Sequence, residues 1–259
     1  MKRNDITMLA RELADKSVED ILKYFISEYT YRGAGAAGQS GMDRIALGTG
    51  LGVEGQVLTH MIATIHPKAR IFVIDTGRLP EETYDLMMRS MNRYGVRYEI
   101  YFPEASDVEE IERMNGPNLF YENADLRKKC CYVRKVKPLR RVLQTLDVWI
   151  TGLRRGQSVT RSSIEKIEWD ETNGLIKLNP LADWSEDDVW KYIRGNNIPY
   201  NRLHDQGYPS IGCAPCTRAV SPGEDIRAGR WWWEQPEQRE CGLHFVDGKH
   251  AGATAGRAR

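Results

Sequence analysis

The chain has 259 residues, 41% hydrophobic and 28% charged, which excludes disorder as its main state and supplies apolar mass for one sizeable core. Its 37 basic and 36 acidic side chains leave a formal charge of +1, so composition points to neither a nucleic-acid nor a membrane partner. No run approaches the roughly 20 apolar residues of a membrane span, and polar residues 2–5 stand where a signal peptide would place its apolar region; the expectation is a cytoplasmic protein.

Over residues 5–29, Leu9, Leu13, Val18, Ile21, Leu22, Phe25 and Ile26 recur at helical spacing. Ser17, with Asp20 three residues later, marks the start of a second helix there. Gly, Ala and Ser crowd residues 30–42, a loop composition. Residues 44–47 read as a short buried strand, followed by the glycine-rich turn 48–55 and a helix over 53–65 that Pro67 ends. A second buried strand spans 69–75, a helix opens at Pro80-Glu81-Glu82 and runs to residue 94, and strands follow at 96–102 and 147–151. Strands alternating with helices predict an α/β fold with a doubly wound, mainly parallel sheet. Residues 164–169 and 175–178 flank Asn173-Gly174 and predict a hairpin or a strand extension. Residues 185–188 resemble a capping box and start a helix to about residue 194. Beyond Pro199 the chain is rich in Gly, Pro, aromatic and charged residues and predicts an irregular lobe; the small, basic stretch 248–259 predicts a disordered tail.

Five cysteines stand at 130, 131, 213, 216 and 241. An odd count in a reducing compartment argues against a disulfide framework. Cys130-Cys131 and Cys213-Ala-Pro-Cys216 form two pairs, and Cys241 stands apart, which suggests a four-thiolate metal site beside one free thiol. Zinc knuckles space their cysteines by two to four residues, and adjacent cysteines aim poorly at one ion. A cubane spreads its irons, so neighbouring cysteines can ligate different ones; the spacing favours [4Fe–4S] over zinc. Residues 126–141 carry eight basic side chains and no acid, which suits an anionic cluster or ligand, although a solvated helix face accounts for several of them.

The turn at 48–55 sits at a strand's carboxyl end, where open α/β sheets bind ligands and a helix N-terminus favours an anion. It matches neither a Walker motif nor the dinucleotide fingerprint. Asp75-Thr76-Gly77-Arg78 ends the second strand similarly. Arg154-Arg155 and Arg161 follow the fourth strand, and Arg227 and Arg230 precede Trp231-Trp232-Trp233. Such recurrence of arginines suggests one anionic substrate held by bidentate contacts, while the triple tryptophan reads as packing for the lobe.

Together, Cys130-Cys131, Cys213-Ala-Pro-Cys216-Thr-Arg218, Gly229-Arg-Trp-Trp-Trp233 and Glu240-Cys241-Gly-Leu-His244 resemble the assimilatory adenylyl-sulfate reductases. So do residues 75–78, 151–155 and 207–212; the likeness runs from about residue 40 to 246. It implies a fold like the adenine-nucleotide α-hydrolases and one [4Fe–4S] cluster per chain on Cys130, Cys131, Cys213 and Cys216. It further implies that Cys241 attacks the sulfur of adenosine 5′-phosphosulfate, leaving an S-sulfocysteine that thioredoxin or a similar dithiol reduces to release sulfite. The substrate residues it implies are Gly52, Asp75, Thr76, Gly77, Arg78, Lys135, Arg161, Arg227, Arg230 and His244. Gly48, Gly50 and Gly55 depart from the pattern, standing where Ser, Ser and Asp are common.

The organisation expected is an N-terminal helical region at 1–42, a nucleotide-binding α/β domain at 43–200, a cluster and nucleophile segment at 201–247, and the tail at 248–259. No nucleic-acid or membrane partner is expected, and homo-oligomerisation stays open. The nearest rival is a reductase of the 3′-phosphorylated substrate, which needs further cations. A tRNA thiolase of similar fold would need an S-G-G-x-D-S turn, absent here. A non-catalytic cluster- or zinc-bearing regulator would leave Cys241 without a role.

Overall fold

The structure is a computed structural model that describes residues 3–30, 42–158 and 161–235. Its centre is a six-stranded sheet: β1 (Ile45–Gly48), β2 (Arg70–Ile74), β3 (Tyr98–Tyr101), β4 (Val148–Ile150), β5 (Ile167–Asp170) and β6 (Leu175–Leu178). The spatial order is β3-β2-β1-β4-β6-β5, with every pairing parallel except β5 with β6. The central strands β1, β2 and β4 are short and almost wholly apolar, as strands covered on both faces must be. Asn173-Gly174 closes the antiparallel pair: Gly174 takes φ +66°, and Asp170 accepts hydrogen bonds from Asn173.

Helices α1 (Arg3–Glu12), α2 (Val18–Tyr29), α3 (Val53–Ile65) and α4 (Glu81–Tyr94) bring Ile6, Leu9, Ile21, Phe25, Val57, Leu58 and Leu86 into one apolar cluster with Leu47, Ile71, Val148 and Ile150. The Ser17 hydroxyl caps α2 by accepting from the Asp20 N–H, as its spacing predicts. A second cluster sets Leu139, Val142, Leu143 and Leu146 against Phe72 and Trp149.

Three helices escaped the periodicity reading. α5 (Ala105–Asn115) buries only Ile111, too narrow a stripe to announce itself. α6 (Ala124–Cys131) runs through a π-helical turn at Tyr132–Val136 into α7 (Lys137–Leu143), and lysines and arginines dilute its apolar face. α8 (Glu186–Gly195) begins at a Ser185–Asp188 capping box. Beyond it, residues 199–235 hold only short 3-10 turns and an isolated bridge between Thr217 and Arg230, in keeping with an irregular lobe. The expected loop at 30–42 and tail at 248–259 lie almost wholly outside the described residues. Among the described residues, no helix is long and apolar enough to cross a membrane.

Candidate active site

The strand order reverses between β1 and β4, since β2 and β3 lie to one side of β1 and β4 to the other. Ligands of open α/β sheets sit at the carboxyl ends of strands beside such a switch point. A cleft of about 590 Å³ opens there. Its walls include Gly48–Gly55 residues Thr49, Gly50 and Gly52, then Thr151 and Gly152 after β4, and Ser210 with Gly212 from the lobe. Phe72, Ile74 and Trp149 supply apolar and aromatic surface. Lys135, Arg161, Arg227 and Arg230 supply cations.

The glycines that depart from the expected pattern have neighbours that explain two of them. A Cβ on Gly48 would stand 2.6 Å from Trp149 Nε1 and 2.7 Å from Phe72 Cζ, so two aromatic rings occupy its space. A Cβ on Gly55 would overlap the Thr49 hydroxyl, which accepts from the Leu51 N–H at 2.9 Å. Gly50 has open space around it, and nothing in the structure explains its choice.

Beside this cleft lies a second, small cavity. Cys130 and Cys131 come from the last turn of α6, and Cys213 and Cys216 from a 3-10 turn with Pro215 inside it. All four are buried at 6–8% exposure in one cluster with Leu119, Phe120 and Trp231. Arg78, Arg127, Arg134 and Lys135 join them in the cavity wall. The thiols act on one another electrostatically. Burial pushes Cys216 up to about 12, helped by Cys213 and Cys131. Burial also raises Cys130, with Cys213 adding and Arg134 opposing. Cys213 goes down although burial opposes it, because Lys135 and a 3.3 Å contact with the Thr76 hydroxyl favour its thiolate. Among the described residues, no three ligating side chains close on a single metal ion.

The arginines divide by their partners. Arg78, a substrate residue by the family resemblance, lines the cysteine cavity and not the cleft. It donates to Glu112 at 2.7 Å and to the Pro117 carbonyl at 2.6 Å. Glu112 also accepts from Arg134, whose other terminal nitrogen donates to the Thr76 carbonyl at 2.7 Å. One carboxylate thus holds two guanidinium groups at the cavity, and Arg78 lowers its pKa most. Arg154, expected to meet an anion, is 4% exposed and bound to Glu54 at 2.8 Å; Arg155 pairs with Asp183 and Glu165. Both serve protein carboxylates. Asp75 and Gly77 also lie outside the cleft wall, because the Asp75 carboxylate turns back to accept from the Gly77 N–H at 2.8 Å and from Tyr84 at 3.0 Å.

Gly52, Thr76, Lys135, Arg161, Arg227 and Arg230 therefore share the cleft wall, and Lys135 also lines the cysteine cavity. Cys241 and His244 lie outside the described residues. Reading the sequence missed Gln157, Trp190 and His204 of the cleft. Burial lowers the His204 pKa, against the opposing pull of Glu54 and Asp205. No local pattern marks these three; they come from separate stretches that only the fold assembles.

The phosphoadenosine phosphosulfate reductase domain model matches residues 44–219. The chain belongs to that family. A relative from Allochromatium vinosum named adenosine 5′-phosphosulfate reductase is 53% identical over 203 residues, covering 78% of this chain and 79% of that one. A Burkholderia cepacia protein of the same name is 48% identical over 204 residues, covering 79% and 82%. Among solved structures, phosphoadenylyl-sulfate reductase from Candida auris superposes with TM-score 0.68 at 28% identity, covering 85% of this chain and 98% of that chain. Yeast FAD synthetase, at TM-score 0.50 and 14% identity over 85% of this chain and 70% of that one, shares the fold alone. The adenine-nucleotide α-hydrolase-like architecture expected of the family is the one observed.

Proposed function

We propose that the chain reduces adenosine 5′-phosphosulfate to sulfite and AMP in sulfate assimilation. The observation that carries this is the gathering of two distant cysteine pairs into one buried, cation-walled cavity against a nucleotide-sized cleft, with Lys135 in both walls. The names of the relatives at 47–53% identity agree with it. Cys130, Cys131, Cys213 and Cys216 would hold a [4Fe–4S] cluster, and the donor set fits. Four close, buried thiols cannot all ionise unaided, so they call for a cationic guest as well as the surrounding arginines. When bound, the cluster supplies a fixed charge distribution beside the cleft.

The chain's own residues do the rest. Arg161, Arg227, Arg230 and Lys135 offset the charge of the phosphosulfate, and the backbone after β1 approaches it closely. The Cys241 thiolate attacks the sulfur; an S–S bond forms, the bond from sulfur to the phosphate oxygen breaks, and AMP departs with that electron pair. A thiolate of an external dithiol such as thioredoxin then attacks Cys241 Sγ, and sulfite leaves with the electron pair of the S–S bond. The second thiol of the dithiol closes its disulfide and returns Cys241 as thiolate. Two electrons thus pass from the dithiol to sulfur. A cytoplasmic setting suits reduced thiols.

Mass spectrometry after mixing cluster-loaded protein with adenosine 5′-phosphosulfate, without reductant, should find one sulfonate adduct, on Cys241. Its absence would refute the route. Comparing turnover of this substrate with its 3′-phosphorylated form decides the substrate, and equal or faster turnover of the latter would overturn the choice.

A further inference from the structure

One indole stands between the cleft and the cysteine cavity. Trp231 lines both, is 1% exposed, and carries a guanidinium on either side, Arg127 at 4.8 Å and Arg230 at 4.6 Å from its ring centroid. Arg230 belongs to the cleft wall and Arg127 to the cavity wall. Trp231 takes φ +45°, a left-handed conformation that a bulky residue keeps only where its surroundings impose it. Its N–H donates to the Cys216 carbonyl at 3.3 Å, so the strained residue is tied directly to a cysteine turn.

Glu234 completes that restraint. Its N–H donates to the Trp231 carbonyl at 2.8 Å, closing a turn. Its carboxylate accepts from Arg127 Nε at 2.8 Å and from Nη2 at 2.6 Å, a fork between side chains 1% and 4% exposed. Burial opposes the Arg127 charge, and Glu234 and Cys131 both favour it. Arg127 lies in α6, one turn ahead of Cys131. A buried ion pair adds little net stability over well-packed apolar residues of the same volume, but a bidentate fork fixes orientation. The pair is therefore better explained by where it holds the guanidinium and the turn than by stability.

We propose that Glu234 is a positioning residue. It clamps Arg127 against Cys131 and Trp231, and it couples the segment that runs on to Cys241, seven residues later, to the helix bearing the vicinal cysteines. The spectroscopic arm of its test rests on the cluster reading above; the proteolysis arm does not.

The isosteric Glu234→Gln keeps the shape and removes the charge. Trypsin cleavage of the Arg230–Trp231 bond should rise about 10-fold, because cleavage tracks the population of the opened segment. Iron per chain should stay at the wild-type level, while the Fe–S(Cys) stretching bands in resonance Raman shift. Sulfonate formation on Cys241 should slow about 10-fold at saturating substrate, with substrate affinity within about 2-fold, as expected when orientation and not binding is lost. The Arg127→Met/Glu234→Leu pair should restore resistance to trypsin yet leave the bands shifted, and Glu234→Asp should recover part of the rate. Wild-type cleavage and wild-type bands in Glu234→Gln would overturn the proposal. So would complete recovery of bands and rate in the apolar pair, which would make the role purely structural. An iron-free wild-type protein would refute the cluster reading separately, and the cleavage rate of Glu234→Gln would then decide the proposal by itself.

Discussion

Gly55→Ala tests whether the turn after β1 is packed as the structure has it. Gly55 lies buried in the first turn of α3, and an added Cβ would overlap the Thr49 hydroxyl and stand 3.3 Å from Thr49 Cβ. Thr49 is 6% exposed, and its hydroxyl already accepts from the Leu51 N–H, so it cannot swing aside freely. Replacing a helical glycine with alanine ordinarily gains about 1 kcal/mol. Overpacking here costs about 1–3 kcal/mol, and a displaced hydroxyl forfeits about 1 kcal/mol of hydrogen bonding. The net expectation is a loss of about 1–3 kcal/mol, or about 2–4 °C in Tm for each kcal/mol in a chain of this size. Urea and thermal unfolding of Gly55→Ala, Thr49→Ala and the double variant form a cycle. Removing the hydroxyl removes the overlapping atom, so Gly55→Ala should cost at least about 1 kcal/mol less in the Thr49→Ala background. A Gly55→Ala protein as stable as the wild type, or two substitutions whose effects simply add, would refute the packing argument.

Gly212→Ala places a Cβ against the Arg230 guanidinium and should raise the KM for substrate about 10-fold while changing Tm little, since an arginine head group yields more easily than backbone; an unchanged KM would remove Arg230 from substrate binding. Arg154→Met strands Glu54 beside the cleft and should cost about 3–5 kcal/mol in urea unfolding, the usual result of breaking a buried pair. Cys216→Ser should lose iron and labile sulfide in an anaerobic assay while Cys241→Ser retains both; equal iron in the two would refute the assignment of ligands. Glu99 is opposed by burial, yet its two hydrogen bonds from Arg70 hold its carboxyl below the ordinary value. Because the folded pKa is depressed, its contribution is present above about pH 4.5 and is lost as pH falls through the folded value. Glu99→Gln should therefore flatten the acid limb of stability measured between about pH 5 and 3.

The sequence by itself determined the alternation of strand and helix, the Ser17 and Ser185 caps, the Asn173-Gly174 turn and the pairing of the cysteines. Each of these is a local rule: the side-chain period of a strand or helix, a cap three residues from its partner, a glycine free to take positive φ. Helices α5, α6 and α7 escaped it, because their apolar faces are narrow or diluted by lysine and arginine. Tertiary structure alone brought Cys213 and Cys216 to Cys130 and Cys131, since that meeting depends on how the lobe crosses the ends of the strands. It alone sorted the arginines as well. In the sequence Arg78, Arg154 and Arg230 look equivalent, each a cation near a strand end or an aromatic run. In the fold, Glu112 claims Arg78 outside the cleft, Glu54 claims Arg154 within the cleft wall, and Arg230 lies against Trp231 in that same wall. A charge is assigned to ligand or to scaffold by whichever opposite charge lies within a few ångströms, and that distance spans parts of the chain that no local pattern connects.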